Sequence, residues 1–223
     1  MTLNREESAV NFYYTIQSPY AQKVLIALYE KGVAFTPVKV NVLDPADRAA
    51  YQKIYPLGKI PLLTDESKDL FIPESTIIIE FLENEFPGQG TQLIPDDKVA
   101  ARRVRFKDRM SDLYINATIS TIFFDSMKPE DKRNPEAVTR AREHLDVMYR
   151  FMDDFLGKNE YVAGSEFSMA DCATFPGLFY AQQMHPFSAY PNVVAYLQRL
   201  MQRPSVQKVV AELMPLLQAM QGK

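Results

Sequence analysis

The chain has 223 residues, 47% of them apolar, and a formal net charge of −3. That apolar content supports a packed core and argues against disorder. The lack of a basic excess argues against a protein that wraps nucleic acid. A single cysteine, Cys172, leaves no disulfide framework within the chain and fits a reducing compartment. No run of about 18 apolar residues occurs, so no membrane-spanning helix is expected. Nor does an apolar stretch follow Arg5, Glu6 and Glu7 in the manner of a signal peptide, and the expected location is the cytoplasm.

The front half alternates strand-like and helix-like pieces. Asn11–Ile16 is aromatic and β-branched, which suits a strand. Tyr20–Lys31 spaces Val24, Leu25, Leu28 and Tyr29 as a helix does, and Gly32 can take the left-handed position that ends it. Phe35–Val42 alternates Val38, Val40 and Val42 with Lys39 and Asn41, so the order predicts a parallel strand pair with a helical crossover. Asp44-Pro45 caps a short helix to about Ile54. Pro61–Thr64 and Leu70–Ile72 flank Asp65-Glu66-Ser67-Lys68-Asp69 as a hairpin. Ser75 caps a helix over Thr76–Phe86, which Pro87-Gly88 stops. The front half therefore reads β-α-β-α-β-β-α.

Pro87–Asp96 has the composition of a linker, and only helices follow it. Val99, Phe106, Met110, Leu113, Ala117 and Phe124 recur at helical intervals, as do Val138, Ala141, Leu145, Met148, Met152 and Phe155 before Gly157. Ser168–Gln183 is apolar almost all round and should be the buried central helix. Ser168 and Asp171 can both satisfy backbone donors at its start, a folding role for which Asp171→Ala should cost roughly 1–2 kcal/mol. Asn192–Met201 and Ser205–Met220 complete the helices. The expected architecture is an α/β domain, residues 1–88, joined to an all-helical domain, residues 95–223.

Three front-half segments carry possible chemistry. In Ser18-Pro19-Tyr20-Ala21-Gln22-Lys23-Val24, the Ser18 hydroxyl and free backbone N–H groups at a helix start favour an anion; an ordinary N-cap is the competing reading. A thiol held there would shift towards thiolate. In Tyr55-Pro56-Leu57-Gly58-Lys59-Ile60-Pro61-Leu62-Leu63, a cis Ile60–Pro61 bond would turn the Ile60 backbone outward to an extended ligand; a trans proline at a strand edge is the alternative. In Pro73-Glu74-Ser75-Thr76, a carboxylate beside a helix N-terminus suits an ammonium group, and Ser75 with nearby N–H groups suits a carboxylate. Together they fit an α-amino acid head group, against the reading of a plain cap and a surface glutamate.

Taken in order, the Ser-Pro-Tyr start, the Pro-x-x-Lys-Ile-Pro-x-Leu run and the Glu-Ser pair resemble the N-terminal domain of cytosolic glutathione transferases. The resemblance extends through Phe167-Ser168-Met169-Ala170-Asp171 and the stretch from Pro191-Asn192-Val193 to Arg203-Pro204-Ser205-Val206. It covers essentially everything after the first ten residues. It implies a thioredoxin-like front domain and an enzyme that transfers glutathione to a small hydrophobic electrophile. In that reading Ser18 hydrogen-bonds the glutathione sulfur, as in the serine-type classes of the family. The Ile60 backbone pairs with the cysteinyl unit, with Pro61 cis. Glu74 and Ser75 hold the γ-glutamyl end, and Lys59 reaches the glycine carboxylate. A homodimer is also implied.

Tyr13, Tyr14 and Thr15 lie near the same strand end and are alternative sulfur partners. The cysteine-type classes carry cysteine where this chain has Ser18, and Cys172 reads as a small core residue. Arg102, Arg105 and Arg109 share a helix face, either solvated or serving a dimer contact or anionic substrates. Tyr114, Ile115, Ile122 and Phe123 are candidates for an apolar pocket or for core. His144 and His185 are far apart, so no metal site is expected, and neither a Gly-x-Ser-x-Gly elbow nor a glycine-rich phosphate loop is present. Other glutathione-dependent chemistry (isomerisation, dehalogenation, peroxide reduction) and a non-catalytic glutathione-binding role remain the alternatives.

Overall fold

The structure, a computed structural model, describes residues 10–65 and 68–221. The leader reading of the first residues and the Glu66-Ser67 tip of the hairpin fall outside them. Among the described residues the front half forms a four-stranded sheet in the order β2-β1-β3-β4. Strand β1 is Val10–Tyr14, helix α1 Pro19–Lys31 and strand β2 Phe35–Lys39. Helix α2 is Pro45–Gln52, strand β3 Leu62–Asp65, strand β4 Leu70–Pro73 and helix α3 Ser75–Glu85. β1 pairs with β2 in parallel across the α1 crossover, and β3 pairs antiparallel with both β1 and β4.

The order matches the sequence expectation, but some boundaries differ. β2 ends at Lys39 rather than Val42, because it is an edge strand whose only neighbour, β1, ends at the paired Tyr14. Edge position also accommodates Pro37, which lacks a ladder donor. Ser75 is the first residue of α3, not its cap; Glu74 takes the cap position with φ of 73°. Gly32, with φ of 62°, ends α1 in the left-handed conformation expected of it.

The back half holds helices α4 Lys98–Met110, α5 Ala117–Ser126, α6 Pro135–Leu156, α7 Met169–Met184, α8 Pro191–Met201 and α9 Pro204–Gln221. A π-helical turn, Ser111–Asn116, joins α4 to α5. Helix α7 is the centre: Met169 through Leu178 are all buried. Gly177 lets it approach the π-helical turn, since a Cβ there would lie 2.6 Å from side-chain atoms of Ile115 and Asn116.

Helix α7 starts with a capping box whose acid does more than cap. Asp171 accepts from the Ser168 N–H (2.8 Å), the Ser168 hydroxyl (2.9 Å), the Val162 N–H (3.1 Å) and the Tyr196 hydroxyl (2.7 Å). One carboxylate thus ties the α7 start to the preceding loop and to α8. Burial nevertheless pushes its pKa up to about 6. Cys172 is fully buried beside it, as a core cysteine should be.

Helices form over residues 99–124 as the spacing predicts, but the spaced apolar residues do not share one buried face: Met110 is buried. Val99, Phe106, Leu113 and Phe124 are exposed, whereas Asp108, Asp112 and Asn116 are buried. The physical reason lies across the junction. Lys23 of α1 is fully buried, and its ammonium sits 2.7 Å from Asp108 and 2.8 Å from Asp112. Charge pairing decides which face of α4 turns inward, since an unpaired buried ammonium would cost far more than an exposed phenylalanine. The α6 pattern fares as expected: Ala141, Leu145, Met148 and Met152 are buried.

A candidate glutathione site at the junction

Sheet register brings the three sequence segments to one end of the front domain. Tyr13 pairs with Leu62, so the loop after β1, with Ser18, lies beside the entry to β3, with Ile60 and Pro61. Leu62 pairs with Pro73, which puts Glu74 and Ser75 at the same end. The Ile60–Pro61 bond is cis. Neither the N–H nor the C=O of Ile60 is hydrogen-bonded among the described residues, which leaves both for an extended ligand.

Ser18 caps α1 with extended backbone, φ −74° and ψ 122°. Its N–H donates to the Thr15 carbonyl at 3.1 Å. Its hydroxyl oxygen accepts from Ala21 N–H at 3.4 Å, a long bond that engages the oxygen only weakly. Among the described residues the hydroxyl proton has no acceptor, so it can point at a ligand. An anion there also meets the N-terminal end of α1.

A cavity of about 310 Å³ opens beside this serine. Thr15, Gln17, Ser18 and Ile60 form one wall; Ile119, Phe123, Phe124 and Met127 of the α5 region form another, with Tyr180, Met184 and Leu217 closing it. Of the four residues expected to line an apolar pocket, Phe123 does so. Tyr114 instead meets the His144 ring, centroids 5.4 Å apart, and Ile115 and Ile122 pack in the core. The π-helical turn rotates the following helix relative to α4, so residues 119, 123 and 127 face the cavity at helical spacing.

Tyr13, Tyr14 and Thr15 lie in three different surroundings. Tyr14 points into the core, where its hydroxyl donates to Glu212 at 2.8 Å, and burial raises its pKa. Tyr13 packs against Tyr51 on the opposite sheet face, 5.8 Å between centroids. Thr15 does line the cavity, with its hydroxyl 2.5 Å from the Gln17 side-chain oxygen. Lys59 is exposed, and its carbonyl accepts from the Tyr51 hydroxyl at 2.8 Å. Arg105 forks onto Glu80 of α3 at 2.5 and 2.8 Å, so it links α4 to α3 at the surface.

Behind Glu74 and Ser75 lies the buried ion cluster. Lys23 also donates to the Thr76 hydroxyl (2.8 Å), which donates to Asp108 (2.7 Å). Burial raises the Asp108 pKa against the opposing pull of Lys23. The cluster pins the α3 start to α1 and α4. Sequence reasoning missed it, because Asp108 and Asp112 look like surface residues of an amphipathic helix. Tyr180, Met184 and Leu217 were missed as well, since nothing local distinguishes them from core.

A thioredoxin-like four-stranded sheet meets a helical bundle, with an apolar cavity lined by residues of both. Residues 12–90 match the model of the glutathione S-transferase N-terminal domain, and residues 115–204 that of the C-terminal domain. Glutathione S-transferase A of Pleuronectes platessa is 30% identical over 195 residues, 85% of each chain. Glutathione S-transferase 3 of Zea mays is 29% identical over 87% of this chain and 90% of its own. A glutathione S-transferase from Methylobacillus flagellatus, solved with glutathione bound, superposes with a TM-score of 0.80 at 26% identity, covering 90% of this chain and 98% of its own. The chain belongs to the glutathione S-transferase family.

Proposed function

We propose that this chain binds glutathione across the sheet end, ionises its thiol at Ser18 and directs the sulfur at a small hydrophobic electrophile held in the junction cavity. The observation that carries this reading is the meeting of Ser18, the Ile60 backbone and Glu74-Ser75 beside an apolar cavity. Glu74 would take the γ-glutamyl ammonium, while Ser75 and the α3 N-terminus would take its carboxylate. Ile60 would pair with the cysteinyl unit as a strand does, and Lys59 would reach the glycine carboxylate. No metal is required by this chemistry.

Energetics make the division of labour plain. A free thiol has a pKa of about 8.5, so little is ionised at neutral pH. Lowering it by two units corresponds to about 2.7 kcal/mol. A hydroxyl donor and a helix N-terminus supply stabilisation of that order, and must also offset the cost of partly desolvating the thiolate. The cavity then holds the electrophile near sulfur, which reduces the entropic part of the barrier.

The same reading takes the domains as residues 1–88 and 95–223, a cytoplasmic setting and a homodimer. The exposed Val99, Phe106 and Leu113, spaced by seven, with exposed Ile77 and Phe71 on the front domain, support a covered face. No described helix is long and apolar enough to cross a membrane. The test is the ultraviolet absorbance of bound glutathione thiolate against pH, in the wild type and in Ser18→Ala, alongside conjugation to an activated aryl halide. A lowered thiol pKa that reverts in the variant is expected. Bound glutathione with an ordinary pKa in the wild type would sink the reading.

A further inference from the structure

The loop that carries Ser18 is held from across the domain junction. Gln22, on α1, is fully buried. Its side-chain amide donates one hydrogen to the Ile16 carbonyl (2.8 Å) and the other to the Tyr180 hydroxyl (2.8 Å). The Tyr180 hydroxyl in turn donates to the Gln17 carbonyl (2.9 Å). The donor directions are unambiguous: the Ile16 carbonyl only accepts, so the amide nitrogen must face it, and the tyrosine proton is then free for Gln17. The two carbonyls immediately before Ser18 are thus both occupied by this relay. The following bonds, Ser18 N–H to Thr15 and Gln22 N–H to the Ser18 carbonyl (3.0 Å), fix the serine between them.

We propose that Tyr180, on the central helix of the other domain, is a positioning residue for the reaction: through Gln22 and the Ile16 and Gln17 carbonyls it sets where the Ser18 hydroxyl points. Two observations outside the relay bear on this. Burial pushes the Tyr180 pKa up to about 12, so its hydroxyl keeps its proton throughout the working range. Tyr180 also lines the cavity that would receive the electrophile, whereas Gln22 does not. One residue therefore borders the second substrate's space and holds the Ser18 loop through its hydroxyl. Filling the cavity and activating the thiol are linked through it. The inference rests on the proposed role of Ser18.

The experiment compares wild type, Ser18→Ala, Tyr180→Phe and Gln22→Met. For each it reads the thiol pKa of bound glutathione, the pH profile of kcat/KM for an activated aryl halide, and the melting temperature. Tyr180→Phe keeps the cavity wall, so KM for the halide should stay within about 2-fold while kcat falls about 10-fold. The bound-thiol pKa should rise by about one unit, moving the acid limb of the profile with it. Gln22→Met, which does not border the cavity, should shift both in the same direction. If Ser18→Ala reverts the thiol pKa but Tyr180→Phe lowers only the melting temperature, the positioning role is overturned while the role of Ser18 stands. A shift in Tyr180→Phe with none in a folded Gln22→Met overturns it too, since the tyrosine would then act on the sulfur directly. An unshifted thiol pKa in the wild type removes the role of Ser18 and this inference together.

Discussion

Helices α1 and α7 are each N-capped by a serine, and the two starts do opposite work. At α7 everything is closed: Ser168 and Asp171 are buried, and the carboxylate meets four donors from three stretches of chain. At α1 the serine is half-buried, its hydroxyl engaged by one long bond, and a cavity stands in front of it. The closed cap spends its hydrogen-bonding capacity on the fold. The open one keeps capacity for a ligand, and the neighbouring structure holds it in place instead. A helix start becomes a site when its donors are spared and its backbone is braced from elsewhere.

The comparison breaks most severely where α1 is itself closed. Lys23→Met leaves the Asp108 and Asp112 carboxylates buried without their cation, and stability should fall by about 3–5 kcal/mol at pH 7. Urea denaturation measures it, and part of the loss should return at lower pH as a carboxylate takes up a proton. At the closed cap, Asp171→Ala strands four donors rather than one, so the cost should be about 3 kcal/mol, above the 1–2 kcal/mol that a simple cap implies. The same acid carries a pH signature. With its pKa at about 6 in the folded chain against about 3.9 unfolded, the folded state holds the extra proton between these values. Stability attributable to Asp171 therefore falls as pH rises from about 4 to 6 and is level above that. Denaturation midpoints of wild type and Asp171→Asn across that range should differ in slope.

A smaller effect is expected from Lys107, whose ammonium lies 4.2 and 4.4 Å from the ring centroids of Phe151 and Phe155 and has no ion pair among the described residues. Burial lowers its pKa to about 8, so the folded state disfavours the charged form below that value. Stability should rise with pH between about 8 and 10.4, the unfolded value. Lys107→Met should remove this slope and raise stability by about 1 kcal/mol at pH 7, because methionine keeps the stem and its contact with the rings. Smallest of all for the fold is Ser18→Ala, expected within about 0.5–1 kcal/mol on thermal denaturation because the existing cap bond is long. If Ser18→Ala proved as destabilising as Asp171→Ala, α1 would be a closed cap after all and its role in the site would need another residue.

Much of this is legible in the sequence. The front-half order followed from alternating periods and from punctuation such as Gly32, Asp44-Pro45 and Pro87-Gly88, because backbone preferences act locally. The central helix followed from its lack of a polar face, and the site segments from three short runs of residues. The Val99–Phe106–Leu113 stripe is exposed, and the sequence does not show this, because periodicity finds an apolar face without saying what covers it. Asp108, Asp112 and Lys23 look like ordinary surface charges one at a time. Only their distance in space makes them a buried set. Tyr180 and Leu217 reach the cavity from chain more than 150 residues beyond Ser18, and no local signal ties them to it. The sequence by itself determined the elements, their order and the local chemistry at Ser18, Ile60-Pro61 and Glu74-Ser75. Tertiary structure alone decided which helix faces turn inward, which donors stay unspent and which distant side chains hold the Ser18 loop. Those outcomes depend on pairing charges and carbonyls across the domain junction, and such pairings are set by packing rather than by spacing along the chain.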